Sequence, residues 1–148
     1  MDRPHLRDRA WPVLDRLMRV HVAAYRATGG LIGHRVPLLP PMLLLDHVGA
    51  RTGLRRTSAL AYVRDGSDLV LIASKGGHPK HPAWYHNLRA NPHVTVHVGS
   101  ERRAVRARTA TAEERRRLWP QAVKAYGGYA CYQARTAREI PVVILEPR

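Results

Sequence analysis

The chain has 148 residues, 45% of them hydrophobic, and its formal net charge is +14. This length predicts a single domain, residues 1–148, that can bury a core. The single cysteine, Cys131, excludes an intrachain disulfide and a cysteine-rich metal site. The excess of basic residues favours an anionic partner, which is either nucleic acid, acidic lipid, or a cofactor with phosphate and carboxylate groups.

The N-terminal region predicts an amphipathic helix. Apolar side chains recur at helical spacing over residues 7–28, arginines lie between them, and Gly29 and Gly30 indicate the end of the helix. We expect residues 1–30 to form a helix attached to the domain. It either packs on the body with a basic face towards solvent or lies on acidic lipid.

The cellular location follows from what the sequence lacks. No apolar run approaches the roughly 18 residues of a membrane span, and the charged residues 1–9 lack the apolar core of a secretion signal. We therefore expect a cytoplasmic protein, with peripheral contact to the inner face of the cell membrane as the lipid-binding alternative for the helix.

The rest of the chain predicts short strands joined by hairpin turns. We expect a mainly β protein of the α+β class, a small barrel of about six antiparallel strands with flanking helices. A short helix over residues 83–90 lies between two strands, and the capping box Thr111–Glu114 predicts another helix that runs to Tyr126 and is interrupted at Pro120. The predicted strands cover residues 42–48, 57–64, 69–73, 94–98, 102–109 and 140–145.

The stretch from Ala73 to Pro92 is the most informative. Gly76 and Gly77 permit a positive φ or a close approach of the backbone to a ligand. A strand, a Ser-Lys-Gly-Gly loop and a helix with Trp84 and Tyr85 together suit a flat anionic ligand. The alternative is a surface loop beside a packed tryptophan. Since adjacent helical residues point in different directions, we expect one of the two aromatic side chains to lie in the core.

Two other groups of residues favour ligand binding. Arg51, Arg55 and Arg56 flank a glycine turn over residues 49–53, which suits phosphate or carboxylate groups, although a solvated basic edge is an alternative. Three tyrosines spaced three residues apart predict either the wall of a pocket for a planar substrate or a packed stripe. They are Tyr126, Tyr129 and Tyr132.

Other chemistry finds little support in the sequence. There is no Gly-x-Ser-x-Gly motif and no P-loop, and carboxylates are scarce, which argues against a conventional hydrolase. His78, His81 and His86 lie close together in the chain, but no carboxylate or cysteine accompanies them, so we expect no metal site.

Several motifs in a fixed order resemble one known family along nearly the whole chain. They are residues 25–30, 32–33, 43–45, 49–56, 64–66, 73–77, 81–88, 90–92, 113–114, 118–120, 126–133 and 138–143. The chain resembles the deazaflavin-dependent nitroreductases, which use coenzyme F-420, an 8-hydroxy-5-deazaflavin. The resemblance implies a split β-barrel, related to flavin-binding split barrels. It also implies hydride transfer from reduced F-420 to a small-molecule acceptor of the quinone or nitroaromatic type.

The resemblance also implies roles for individual residues. Arg51 and Arg56 would hold the phosphate and the acidic glutamyl tail of F-420. Tyr129 would hydrogen-bond or protonate the reduced acceptor, in a pocket lined with Tyr126 and Tyr132. The full set implied for cofactor binding is Arg51, Thr52, Gly53, Arg56, Ala73, Ser74, Lys75, Gly76, Gly77, Ala83, Trp84 and Tyr85.

The chain departs from the family pattern at three places. Ala50 replaces a basic residue, residues 46–48 replace a segment that usually contains threonine, and residues 59–61 lack a frequent aromatic side chain. The first two weaken the expectation of tail binding, and the third weakens that of nitroimidazole reduction.

Two other functions are compatible with the sequence. One is a non-catalytic carrier of F-420 or lipid, and the other is a basic nucleic-acid-binding barrel. The arginines are spread along the whole chain rather than along one stripe, so we expect no nucleic-acid partner. The sequence leaves the oligomeric state open.

Overall fold

The computed structural model describes residues 6–148, with side chains from residue 12 onwards. The charged residues 1–5, on which the expectation about a secretion signal partly rests, lie outside the described part. The sheet contains strands β1 (Met42–Val48), β2 (Arg55–Ala61), β3 (Val63–Asp65), β4 (Asp68–Ile72), β5 (His93–Val98), β6 (Glu101–Thr109) and β7 (Val142–Pro147). Their order is β2-β1-β5-β6-β7-β4-β3, and the pairs are antiparallel, as expected.

The helices of the described residues lie around this sheet. They are α1 (Leu6–Thr28), α2 (Ala83–Ala90), α3 (Ala112–Ala125) and α4 (Gly128–Ala134), with a 3₁₀ turn at Lys75–Gly77. The predicted helices over residues 7–28 and 83–90 are confirmed. The capping box is confirmed as well, because the Thr111 hydroxyl accepts from the Glu114 N–H and the Glu114 carboxylate accepts from the Thr111 N–H.

The prediction that Pro120 interrupts the helix is wrong, because α3 continues through it. Proline cannot donate a backbone hydrogen bond, which weakens a helix. Leu118 and Ala122, on either side of Pro120, are both fully buried against the sheet. This packing holds the helix together across the missing hydrogen bond, while the proline ring faces solvent.

The prediction of one strand over residues 57–64 is also wrong, since the segment forms two strands that separate at Tyr62. β2 pairs with β1, whereas β3 pairs with β4 at the opposite edge of the sheet. The Tyr62 side chain is buried, and its N–H donates to the carbonyl of Pro41 at 3.0 Å. Because one residue joins the two edges, the sheet must curl towards closure.

The curled sheet is covered on both faces. Leu69 and Leu71 of β4 face a core that includes Trp84 and Tyr85 of α2. Val70 and Ile72 of the same strand face a second core formed with α3 and α4. α2 therefore lies against the inner face of the sheet, and the tyrosines of α4 lie against the outer face.

Among the side chains of α1 that the structure describes, residues 12–28, those of the C-terminal half pack on the body. Tyr25 is 1% exposed, and its hydroxyl accepts from the Gly99 N–H at 2.7 Å. In contrast, Val13, Leu17 and Val20 are 62%, 60% and 62% exposed. The expectation of a helix packed on the domain thus applies to its second half.

Candidate active site

The Ser-Lys-Gly-Gly loop follows the end of β4 and has an unusual backbone. Lys75, Gly76 and Gly77 have φ values of 44°, 62° and 77°. Glycine adopts this left-handed region without cost, whereas lysine rarely does. Nothing lies within 4 Å of the position that a side chain on Gly76 would take, so this part of the loop faces open space. Residues with unfavourable backbone angles are frequent at ligand sites.

The loop touches the helix that carries the tyrosines. A side chain on Gly77 would come within 2.7 Å of the carbonyl oxygen of Tyr132, so glycine allows the close approach. Ala73 is buried at the end of the strand, and its N–H donates to the carbonyl of Pro141 at 3.0 Å. The sheet therefore fixes the beginning of the loop, and α4 supports its far side.

The three tyrosines form one cluster, as their spacing predicts. The hydroxyls of Tyr126 and Tyr132 are 3.1 Å apart, and the ring centroids of Tyr126 and Tyr129 are 5.1 Å apart. Tyr129 is 6% exposed, whereas the other two are half-buried. Burial, and then the two neighbouring tyrosines, raise the pKa of Tyr129 to about 12. Tyr129 therefore stays protonated, and Tyr126 and Tyr132 are the more exposed residues of the cluster.

The aromatic residues of α2 differ from the sequence-based expectation. We expected one of Trp84 and Tyr85 in the core, but they are 8% and 6% exposed, and both belong to it. Their rings pack edge to face, and the Tyr85 hydroxyl lies 3.0 Å from that of Thr109. The helix enters the curled sheet, so adjacent positions both find apolar surroundings. Ala83 is exposed at the start of the helix.

Residues 50–53 of the basic turn are exposed, whereas Gly49 is buried, and hydrogen bonds hold the backbone of the turn. The Gly53 N–H donates to the carbonyl of Gly49 at 2.9 Å, and the Ala50 N–H donates to Oδ1 of Asn87 at 2.9 Å. A side chain on Gly49 would collide with the Thr52 hydroxyl and would lie 3.7 Å from Nε of Arg56. The exposed cations around the turn are Arg51, Arg55 and Arg56.

A buried polar chain behind this turn was missed in the sequence. Asn87 Nδ2 donates to His47 Nδ1 at 3.0 Å, and His47 Nε2 lies 3.0 Å from the Ser58 hydroxyl. Burial, followed by the charge of Arg56, lowers the pKa of His47 to about 4, so the imidazole is neutral. Asn87 lay within a motif of the resemblance, but no pattern in the sequence indicated His47 as its partner.

Arg138 was also missed as a residue with a role at this loop. Its guanidinium donates to the carbonyls of His78 at 2.8 Å, Ala73 at 3.2 Å and Ser74 at 2.8 Å. Its Nη1 also lies 3.0 Å from Nδ1 of His81. His81 therefore has a structural partner. Among the side chains that the structure describes, residues 12–148, no group of three or more His, Cys, Asp and Glu is arranged to hold a metal ion.

α2 connects the two candidate binding elements. Asn87 in its C-terminal half holds the basic turn, and His81 just before its start is tied to the Ser-Lys-Gly-Gly loop through Arg138. The helix has eight residues and is therefore about 12 Å long. The structure thus brings the loop and the tyrosines into contact, while the basic turn is linked to the loop through α2.

These residues fit a long polyanion with a flat ring. The exposed arginines at the turn suit phosphate and carboxylate groups, and the open backbone at Gly76 allows a ring to approach beside the tyrosines.

Comparison with known proteins decides the family. The model of the F-420H(2)-dependent quinone reductase family matches residues 17–147. The chain belongs to this family. It is 48% identical, over 137 residues, to an F-420H(2)-dependent quinone reductase of Mycobacterium tuberculosis. The alignment covers 90% of this chain and 91% of that relative.

Two solved structures support the same conclusion. One is the F-420-H2-dependent reductase FDR-A, with a TM-score of 0.66 and 43% identity, covering 76% of this chain and 100% of the other. The second is described as a domain-swapped dimer, with a TM-score of 0.68 and 38% identity, covering 86% and 94%. The predictions of a split barrel, of an F-420-dependent oxidoreductase and of coenzyme F-420 as the cofactor are confirmed.

The reductase has no transmembrane helix in its described part. None of the helices in residues 6–148 carries the long uncharged apolar run that a bilayer crossing requires.

Proposed function

We propose that the protein uses reduced F-420 to reduce a quinone at the contact between the Ser-Lys-Gly-Gly loop and α4. The observation that carries this proposal is the close approach of Gly77 to the backbone of Tyr132, which joins the strained loop to the tyrosine cluster. The name of the mycobacterial relative supports a quinone rather than a nitroaromatic acceptor. The absence of an aromatic side chain at Ala59 and Ala61 agrees with this preference.

The cofactor is held at two places in this proposal. Arg51 and Arg56, with Thr52 and Gly53 between them, bind the phosphate and the glutamyl tail through charge-assisted hydrogen bonds. The backbone of residues 73–77 and the Lys75 side chain bind the polar edge of the ring system. The ring system also lies near the exposed Ala83. The buried Trp84 and Tyr85 fix α2 in the barrel.

When bound, reduced F-420 supplies a hydride, which together with one proton converts a quinone to a hydroquinone. The protein's own contribution is orientation, shielding from water and delivery of that proton. We assign delivery of the proton to the hydrogen-bonded hydroxyls of Tyr126 and Tyr132, because these residues are more exposed than Tyr129. Tyr129 supports Tyr126 edge to face and keeps its own proton, since burial and the neighbouring tyrosines raise its pKa to about 12.

Turnover measurements test the function and the tyrosine roles together. We expect purified protein to oxidise reduced F-420 when menadione is added. Removing a proton donor typically slows a step about 10²-fold, so Tyr132→Phe should lower kcat by about that factor while the KM for F-420 stays near the wild-type value. Tyr129→Phe should cause a smaller loss. Absence of both binding and oxidation of reduced F-420 by the wild type would refute the proposal.

The same proposal extends to the surface of α1. Leu14, Leu17 and Met18 lie on the same face of α1 as Tyr25, nearer to its N-terminus. Unlike Tyr25, they are 52%, 60% and 38% exposed. Leu31 and Ile32 at the other end of the helix are exposed too. We assign this apolar surface to peripheral contact with an anionic membrane, where lipid-soluble quinones reside.

A second copy of the chain is the alternative occupant of this surface. It is favoured by one observation, the domain-swapped dimer formed by a relative that is 38% identical. A dimer would bury the exposed half of α1 without lipid and would appear as a doubled mass in solution.

A further inference from the structure

Arg138 lies between α4 and β7, and its side chain points at the Ser-Lys-Gly-Gly loop. The guanidinium is half-buried, and it donates to the carbonyl oxygens of Ala73, Ser74 and His78. These three carbonyls lie before and after the two glycines. One side chain therefore holds both ends of the loop.

The bonds of Arg138 are made to neutral groups. Among the described residues, no carboxylate forms an ion pair with it, and burial lowers the pKa of its guanidinium without an opposing negative charge. Burial of a charged group has a cost, which the hydrogen bonds from Arg138 to the three carbonyl oxygens offset.

The hydrogen bonds of Arg138 also fix the orientation of the peptide groups in the loop. In a planar trans peptide the C=O and the following N–H point in opposite directions. Because the Ser74 carbonyl accepts from Arg138, the N–H of Lys75 is directed to the opposite side of the loop. The same carbonyl accepts from the Gly77 N–H at 2.9 Å, which closes the turn. Arg138 thus fixes the segment in which Lys75 has its unfavourable φ of 44°.

The contact with His81 extends this control to α2. Nη1 of Arg138 donates to Nδ1 of His81, which requires a neutral imidazole with its lone pair on that nitrogen. The His81 ring packs on Tyr85, with ring centroids 4.9 Å apart. The guanidinium therefore links the loop to the start of the helix that carries Trp84 and Tyr85.

We propose that Arg138 is a positioning residue that holds the Ser-Lys-Gly-Gly loop in its F-420-binding conformation. The inference rests on the proposed function, since it assumes that this loop contacts the cofactor. Arg138 does not touch the reacting atoms in this account. It acts through the loop backbone and through His81.

The test compares Arg138→Ala and Arg138→Lys with the wild type and with Arg116→Ala. Arg116 is an exposed arginine of α3, so its variant carries the same loss of charge away from the loop. The dissociation constant of F-420 is measured by calorimetry, and KM and kcat are measured with F-420 and menadione varied separately. Because misplacement of a binding group by about 1 Å costs up to about 10²-fold, we expect Arg138→Ala to raise the Kd of F-420 about 10- to 100-fold.

Three further readouts separate positioning from general stability. The KM for F-420 should rise while the KM for menadione stays unchanged. Low millimolar guanidinium chloride, with sodium chloride as the ionic-strength control, should restore part of the affinity of Arg138→Ala. Arg138→Lys should be intermediate, because an ammonium group cannot reach three carbonyls in a fixed fork. If Arg138→Ala does not fold, Arg138→Lys carries the test.

The outcomes are distinguishable. A folded Arg138 variant that binds F-420 with the wild-type Kd overturns this inference and leaves the proposed function standing. Equal increases of both KM values without rescue by guanidinium also overturn it. A wild-type protein that does not bind F-420 overturns the inference together with the proposed function.

Discussion

At the scale of single residues, neutral His47 holds the basic turn in place. Its Nδ1 accepts from Asn87, whose Oδ1 accepts from the Ala50 N–H. Ala50 lacks the cationic side chain that the family pattern has at this position, but its backbone N–H is still held by Asn87. Protonation of His47 would break this chain of bonds, and burial opposes that protonation, lowering the pKa to about 4.

This pKa predicts a dependence of stability on pH. An unfolded histidine binds its proton near pH 6.5, so between pH 6.5 and 4 the unfolded state holds the extra proton and is favoured as the pH falls. We expect His47 to remove up to about 3 kcal/mol of stability over this window. Thermal unfolding of the wild type and of His47→Gln, which does not titrate, measures the difference. Parallel curves for the two proteins from pH 7 to 4 would contradict the prediction.

Residues in the site were predictable to different degrees. The tyrosine cluster followed from a spacing of three residues, and the loop followed from its glycines. Arg138 lay within a motif of the resemblance, but its role was not predictable, because its partners are backbone carbonyl oxygens more than 50 residues away. The burial of both Trp84 and Tyr85 depends on α2 entering a curled sheet, which helical periodicity alone does not show.

At the scale of the elements, the start of α3 is tied to the sheet through Glu114. Its carboxylate accepts two hydrogen bonds from Arg108 of β6, at 2.7 and 2.8 Å, in addition to the bond in the capping box. The hydrogen bonds from Arg108, and then the Thr111 N–H, lower the pKa of Glu114 to about 2. Arg108 also binds Glu146 of β7, so one arginine joins three elements.

Replacing Glu114 by glutamine keeps an acceptor for the capping box but removes the charge. We expect Glu114→Gln to lower the free energy of unfolding by about 1 kcal/mol at pH 7, a value reduced for the partial exposure of the pair. The contribution of the carboxylate is present above the unfolded pKa of about 4.5 and is lost as the pH falls towards 2. The gap between wild type and variant in denaturant titrations should therefore close below pH 4.5. A gap at pH 2.5 that is as large as the gap at pH 7 would contradict this explanation.

The elements show where local signals succeed. Helix boundaries marked by a capping box or by paired glycines agree with the structure, because those signals act through neighbouring residues. The break at Tyr62 and the continuity at Pro120 are both set by tertiary packing. At both positions tertiary packing outweighs the local preference of the sequence, which favoured a continuous strand through Tyr62 and a break at Pro120.

At the scale of the whole molecule, the exposed half of α1 predicts a membrane-binding surface. We expect the wild type to sediment with vesicles that contain phosphatidylglycerol and much less with pure phosphatidylcholine, since both apolar burial and basic charge contribute. The variant Leu14→Ser/Leu17→Ser should lose this binding and keep its turnover with menadione. Leu54→Ser, which changes an exposed leucine outside the helix, is the control.

Mass measurement in solution separates this prediction from a dimer. A protein that stays with the lipid-free fraction and doubles its mass through α1 would contradict membrane binding and favour a second copy on this surface.

Calorimetric titration shows whether the basic turn and the Ser-Lys-Gly-Gly loop together bind one F-420 molecule, as we propose. Oxidised F-420 is titrated into the wild type, the variant Arg56→Ala/Lys75→Gly and the control Arg116→Ala. Glycine relieves the positive φ at residue 75, so the double variant should unfold within about 1 kcal/mol of the wild type. We predict one site per chain and a Kd at least about tenfold higher for the double variant alone. An unchanged Kd in the double variant, or no heat of binding with the wild type, would contradict the account.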